Sequence, residues 1–227
     1  MCFSGNTNKS INGVGFWVSK SLSPYILGYQ AISDRIISLK LNGSPSIVHL
    51  IQVYAPTSTA DDDTTESFFN ELESYLQNIP NKEIAIIMGD LNSKIGVTMD
   101  DEHIRNIVGR YGIGERNSRG DRLIQFCVDN DLTIMNSMYK HHPRRLYTWI
   151  SPGGRHRNQI DYIMIKHRWK TSISQCKTRP SADCGSDHQL LFATLKQKFK
   201  ACARIRNKRI SKIKDTQQFK SQCNERL

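Results

Sequence analysis

At 227 residues, the chain is long enough to bury a sizeable core in one domain, and its 38% hydrophobic content is ordinary for a soluble protein. No apolar stretch approaches the length of a membrane span, and the opening MCFSGNTNKS carries no signal-peptide pattern, which argues against membrane-embedded and secreted classes. The net charge of +11 is uneven: residues 140–170 carry net +7 and residues 196–227 net +9, while the remainder carries −5. Localised positive charge points to a polyanionic partner, most often nucleic acid.

The first elements are strands. Residues 14–18 (VGFWV), 34–41 (DRIISLKL) and 46–54 (SIVHLIQVY) are short and rich in β-branched and aromatic residues. The third ends on Tyr54-Ala55-Pro56, a strand-to-loop exit carrying a polar aromatic. A helix follows, with Phe68, Phe69, Leu72, Tyr75, Leu76 and Ile79 at helical spacing, Asp63 and Glu66 as a capping box, and Pro80 as the stop. Residues 83–89 form the next strand, an apolar run that stops at Gly89. Asp90 and Asn92 come directly after it, placed to hold a water between a base and an orienting amide.

Residues 93–117 read as loop. A second helix starts near Ser118, with Leu123, Ile124, Cys127 and Val128 as its apolar face. Short strands follow at 132–136 and 146–150, with a basic hairpin-like segment, His141 to Arg145, between them. Ser151-Pro152-Gly153-Gly154 is a turn, and Gln159–Ile165 is a strand with Asp161 near its start. Residues 171–185 read as irregular. Ser186-Asp187-His188 then leads into a last strand, Gln189–Leu195. Trp149 reads as a core residue. The pattern breaks down beyond Lys196, so a domain over 1–197 and a basic tail over 198–227 are expected. The six cysteines (Cys2, Cys127, Cys176, Cys184, Cys202, Cys223) are scattered with no CxxC pair, which reads as reduced intracellular thiols rather than a zinc site.

Polar residues thus stand at the ends of several strands: Tyr54, Asp90 with Asn92, Asp161, and Asp187 with His188. A lone Gly-Asp is usually a turn, a lone Tyr a half-buried core residue, and an Asp-His pair a cap. Their joint order carries the information.

That order, GDxN, then DY at a strand start, then SDH before a final strand, resembles the endonuclease/exonuclease/phosphatase superfamily. IQVYAPT, MGDLNSKIG, RRLYTWISPGGRHRNQIDYIM and TRPSADCGSDHQLL are similar, more closely, to the endonuclease domain of RTE-clade non-LTR (LINE) retrotransposons. The resemblance covers roughly residues 3–200. It implies an α/β fold of DNase I type: two mixed β-sheets packed as a sandwich, with helices on the outer faces. It also implies hydrolysis of DNA phosphodiesters assisted by Mg2+, with Mn2+ an alternative, and no small-molecule cofactor.

The residue types suit that chemistry. Asp90 is the expected general base and Asn92 the residue that holds the attacking water. His188, kept protonated by Asp161, would stabilise the phosphoryl oxygens, and Tyr54 would donate to the phosphate. Asp187 would contact the metal. Arg144, Arg145, Arg155 and Arg157 are the expected DNA contacts, and such phosphate contacts give affinity with little sequence information. An intracellular, nuclear location follows.

The family's pattern also includes an Asn and a metal-binding Glu on two strands that would precede Met1. The expectation is therefore a fold lacking its first strands and binding magnesium poorly, as in a truncated or decayed element or a gene model begun at an internal methionine. A non-catalytic nucleic-acid-binding remnant is the alternative reading, and a phosphatase acting on inositol or lipid phosphates is a further one.

Overall fold

The computed structural model describes residues 1–5, 12–97, 104–180, 182 and 185–202. In chain order the strands are β1 (Cys2–Gly5), β2 (Gly13–Phe16), β3 (Ile26–Ala31), β4 (Ile36–Leu41), β5 (Gly43–Ser44), β6 (Val48–Tyr54), β7 (Ile84–Asp90), β8 (Leu132–Ile134), β9 (Trp149–Ile150), β10 (Arg157–Asn158), β11 (Asp161–Lys166), β12 (Ile173–Arg179), β13 (Leu190–Leu195) and β14 (Lys198–Phe199). The helices are α1 (Asp62–Gln77), between β6 and β7, and α2 (Ser118–Asp129), before β8.

Six strands form a central mixed sheet in the order β3-β4-β6-β7-β11-β8. Only β6 and β7 run parallel, and α1 supplies the crossover that a parallel pair requires. Strand periodicity gives the sheet two apolar faces. One carries Ile51, Val53, Ala85, Ile87, Tyr162 and Met164, and it is covered by Phe68, Phe69, Leu72 and Leu76 of α1 and by Leu123, Phe126 and Cys127 of α2. The other carries Leu39, Leu41, Val48, Ile84, Ile86, Ile163 and Ile165, and it is covered by the β12–β13 pair and by Cys2 and Phe16 of the β1–β2 pair. The expected layered α/β architecture holds, with two differences. The second layer consists of antiparallel strand pairs rather than a second mixed sheet, and both helices pack on the same face.

Both helices begin on a side-chain cap. Asp61 accepts from Thr64 N at 2.6 Å, and Asn117 accepts from Gly120 N at 2.9 Å. The cap of α1 is therefore Asp61 rather than Asp63, which lies in the first turn where its charge complements the helix dipole. On α2, Phe126 is buried and Val128 is exposed, the reverse of the expected face at that end.

Strand β3 was not expected, because it is an edge strand with no buried side chain and so lacks an apolar pattern. Strand β12 lies in the stretch read as irregular. A bulge between Ile173 and Gln175 breaks its alternation, so Ile173, Cys176 and Thr178 are the buried positions. The chain does not leave the body at residue 198: β14 pairs with β5, and Cys202 N donates to Pro24 O at 3.0 Å. The rest of the basic tail lies outside the described residues.

Candidate active site

Strands β6, β7 and β11 are neighbours, and their registers place Tyr54 beside Asp90 and Asp90 beside Asp161. Residues directly opposite on adjacent strands share a face. Asp90 follows the parity of Ile84 and Ile86, so this row lies at the end of the face covered by β12 and β13. Gly89 makes the geometry at the end of β7 feasible. Its φ is +143°, and a Cβ there would stand 1.9 Å from Val53 O, so no other residue fits without displacing β6.

Beyond Asp90 the chain turns at once. Asn92 has φ 47°, donates its backbone N–H to Asp90 Oδ1 at 2.9 Å, and donates from Nδ2 to Ala55 O at 3.0 Å. One amide hydrogen of Asn92 is thus spent on holding the exits of β6 and β7 together. Tyr54 is half-buried. Its carbonyl accepts from Arg35 Nη1 at 3.2 Å, and the Arg35 guanidinium lies 5.4 Å from its ring centroid.

Just before β13, His188 Nδ1 lies 2.9 Å from Asp161 Oδ2, with the two side chains 33% and 18% exposed. The hydrogen bond that His188 donates to Asp161 raises the imidazole above its ordinary value, against the opposing effect of burial. Asp90 is pushed up to about 6, first by burial and then by the charge of Asp161, with Asp187 adding to it. The structure thus brings Tyr54, Asp90, Asp161, Asp187 and His188 to one end of the sheet, with Asn92 as the clasp of the Asp90 loop.

Comparison with known proteins gives the family and the fold. Residues 48–192 match the model of a family described as endonuclease-reverse transcriptase. The chain belongs to that family. It is 42% identical over 198 residues to craniofacial development protein 2 of Bos taurus, a stretch covering 87% of this chain and 33% of that protein. The Tragulus javanicus counterpart matches at the same identity, with 34% of its length covered. The chain thus spans about a third of the length of the curated relatives it matches.

Among solved structures it resembles the endonuclease domain of TRAS1, a telomere-specific non-LTR retrotransposon (TM-score 0.53, 16% identity, 72% of this chain and 64% of that one). It also resembles the catalytic domain of Xenopus laevis APE2 (TM-score 0.54, 20% identity, 76% and 58%). A third resemblance is to a 3'-5' exonuclease, NExo, from Neisseria meningitidis (TM-score 0.53, 20% identity, 72% and 65%). At these identities the structural likeness establishes the fold.

In this endonuclease-reverse transcriptase domain, the four arginines expected to meet DNA fall into two places. Arg155 and Arg157 lie on a hairpin made by β9 and β10, closed by Ser151 N to His156 O at 2.9 Å. Both are exposed, and Arg157 stacks on the Tyr147 ring with 5.0 Å to its centroid. Arg144 and Arg145 are exposed on a 3-10 turn at Pro143–Arg145, whose start is fixed by His142 Nδ1 accepting from Arg144 N. The expected hairpin at His141–Arg145 is therefore that turn, and the hairpin lies later, at residues 149–158.

Three supporting residues went unrecognised in the sequence. Thr148 is fully buried, and its Oγ1 accepts from Ile160 N and Asp161 N, both at 3.0 Å, fixing the start of β11. Asn136 Nδ2 donates to Asp161 O at 2.9 Å, and its Oδ1 accepts from Ile163 N at 2.9 Å. Trp149 is half-buried rather than core, and its Nε1 donates to Asp187 Oδ2 at 2.8 Å. A buried Thr in a strand reads as a β-former and a Trp as core. The signal that could have found Thr148 and Trp149 is position, since they stand at a strand end just before a Pro-Gly-Gly turn.

Proposed function

We propose that this chain is a hydrolase that cleaves phosphodiester bonds in DNA, as a nicking endonuclease of the retrotransposon type. The observation that carries the reading is the cross-strand row Tyr54–Asp90–Asp161, closed by His188. It juxtaposes an ionisable base, a buttressed imidazole and a phenol at the sheet's end. Membership of the endonuclease-reverse transcriptase family and a fold shared with nucleases support it.

Each group has a distinct task. Asp90, at about 6, is mostly ionised at neutral pH yet basic enough to take a proton from an attacking water. Asp161 occupies His188 Nδ1, which leaves Nε2 as a donor toward a phosphoryl oxygen that gains charge during attack. Tyr54 donates to the phosphate, and Asn92, through the part of its amide not held by Ala55, steadies the water. Arg144, Arg145, Arg155 and Arg157 hold the duplex by its phosphates. A DNA substrate would place the protein in the nucleus.

Among the described residues, no group of three or more His, Cys, Asp or Glu is arranged to hold a metal ion. What the site offers is carboxylate crowding, since Asp161 and Asp187 both press on Asp90, and a divalent cation would relieve it. Magnesium keeps several of its waters and needs one or two carboxylates plus substrate phosphate, so this donor set suits it better than a metal wanting a full protein cage. Asp187 is the carboxylate that would hold it, and the ion would supply polarisation of a phosphoryl oxygen.

The test is nicking of supercoiled plasmid with and without Mg2+, comparing wild type with Asp90→Ala. Magnesium-dependent nicking that the substitution abolishes supports the proposal. Salt-sensitive DNA binding with no cleavage would make the chain a nucleic-acid-binding remnant instead.

A further inference from the structure

The segment carrying Asp187 and His188 is fastened to the first strand of the arginine hairpin at three points. Ile150 N donates to Asp187 O at 2.9 Å and Gln189 N donates to Thr148 O at 2.7 Å, and together these two bonds make the antiparallel bridge between Trp149 and His188. Both are backbone contacts that many sequences would make. The third, Trp149 Nε1 to Asp187 Oδ2, depends on the indole, which is a donor with no acceptor function. Asp187 is exposed, and a short carboxylate on an exposed loop exchanges among rotamers unless something holds it. On its other edge Trp149 pairs with Asn158, the neighbour of Arg157 in β10. Trp149 is therefore the hairpin residue whose side chain reaches the carboxylate.

We propose that Trp149 is a positioning residue: its indole fixes the Asp187 carboxylate while the backbone of its neighbours Thr148 and Ile150 joins the Arg155–Arg157 hairpin to the same segment. A duplex held on the hairpin thereby meets a carboxylate already set toward the phosphodiester. This rests on the reading of the site as DNA-hydrolysing. It assigns Trp149 no contact with the reacting atoms, only an effect through Asp187.

The experiment uses Trp149→Phe, which keeps an aromatic body and removes the donor, together with Asp187→Asn and the double variant. Nicking rates, duplex affinity by fluorescence anisotropy, and 15N-1H spectra of the indole groups are measured on the full chain. With three tryptophans, the Trp149 indole resonance is assignable by difference. Loss of a hydrogen bond to a charged group is expected to slow nicking at saturating plasmid about tenfold, with duplex affinity within about twofold of wild type. The double variant should be no slower than Asp187→Asn alone, and Asp187→Asn should shift the Trp149 indole resonance.

Additive losses in the double variant, a proportional loss of duplex affinity, or an unmoved indole resonance would each overturn the proposal. Should Trp149→Phe fail to fold, Trp17→Phe and Trp169→Phe assign the other two indoles, and the remaining resonance in wild type against Asp187→Asn still decides it. A wild type that does not nick overturns the functional reading, and the resonance then reports separately on whether the indole holds Asp187.

Discussion

Asp90 stands directly opposite Asp161 in the β7–β11 ladder, and the two carboxylates are not electrostatically independent. The protein resolves the conflict unequally. Asp161 gains a hydrogen bond from His188, whereas the Asp90 carboxylate, among the described residues, accepts the backbone N–H of Asn92 and carries the penalty of burial. Two like groups at one strand end thereby acquire different electrostatics, which under the proposed function suits one to buttress His188 and the other, with its raised proton affinity, to act as the base.

The nicking rate should therefore rise with pH through a limb near 6, where Asp90 ionises. Initial rates between about pH 4.5 and 8 would show it, and Asp90→Asn should abolish the limb and lower the rate about 10²–10⁴-fold. Stability should move the other way. Asp90 titrates at about 6 in the fold against an ordinary 3.8, so between those values the unfolded chain loses its proton first. Stability contributed by the protonated group is complete below the lower value and is lost as pH rises through the higher one, by about 3 kcal/mol in all. Asp90→Asn should thus melt higher than wild type at pH 7.5, with the margin vanishing near pH 4; equal melting temperatures at both would refute the burial penalty.

His188 gives the opposite limb. Its pKa is raised mainly by the hydrogen bond to Asp161, so the protonated pair stabilises the fold below the imidazole's ordinary 6.5. That contribution fades as pH rises through the raised value. Wild type should lose nicking rate on that alkaline side, giving a bell-shaped profile. Asp161→Asn should bring the His188 titration, followed by NMR, back down, and should narrow the bell from its alkaline side. A His188 titration insensitive to Asp161→Asn would contradict the pairing.

Much of this candidate site was legible in the sequence because its carboxylates and histidine end or begin apolar strands. Gly89-Asp90 closes an apolar run, Asp161 opens one, and Asp187-His188 precede one. Which of them face each other was not legible, since that depends on the register between β6, β7 and β11 rather than on any local pattern. The supports were hidden for a related reason. Thr148, Asn136 and Trp149 matter through backbone atoms and side chains far away in sequence, and none breaks the pattern of its own segment. Strand β12 was concealed by its bulge, and β3 by being an edge.

Thr148 gives the sharpest structural test of those supports. Its hydroxyl oxygen accepts two backbone N–H groups in a position with 0% exposure. Thr148→Val is nearly isosteric but leaves both donors without that acceptor, at an expected cost of about 2–3 kcal/mol. Urea unfolding should show a lower midpoint with unchanged slope. Because Asp161 N is one of the two donors, nicking should also fall at temperatures where the variant is fully folded. A Val variant as stable and as active as wild type would remove Thr148 from the site.

The arginine hairpin makes a prediction that separates affinity from chemistry. Arg155 and Arg157 are exposed on the β9–β10 hairpin, one strand away from the His188 segment. Phosphate contacts of this kind act through counterion release, so each arginine lost should lower the slope of log affinity against log salt by about 0.9. Arg155→Ala with Arg157→Ala should therefore bind duplex DNA more weakly at low salt and show a flatter salt dependence, measured by anisotropy titrations. Nicking at saturating plasmid should stay near the wild-type rate, because neither guanidinium belongs to the carboxylate–imidazole row. Arg157 also stacks on Tyr147, so its substitution should lower the melting temperature slightly, whereas Arg155→Ala alone should not. A double variant with an unchanged salt slope would place the duplex elsewhere on the protein.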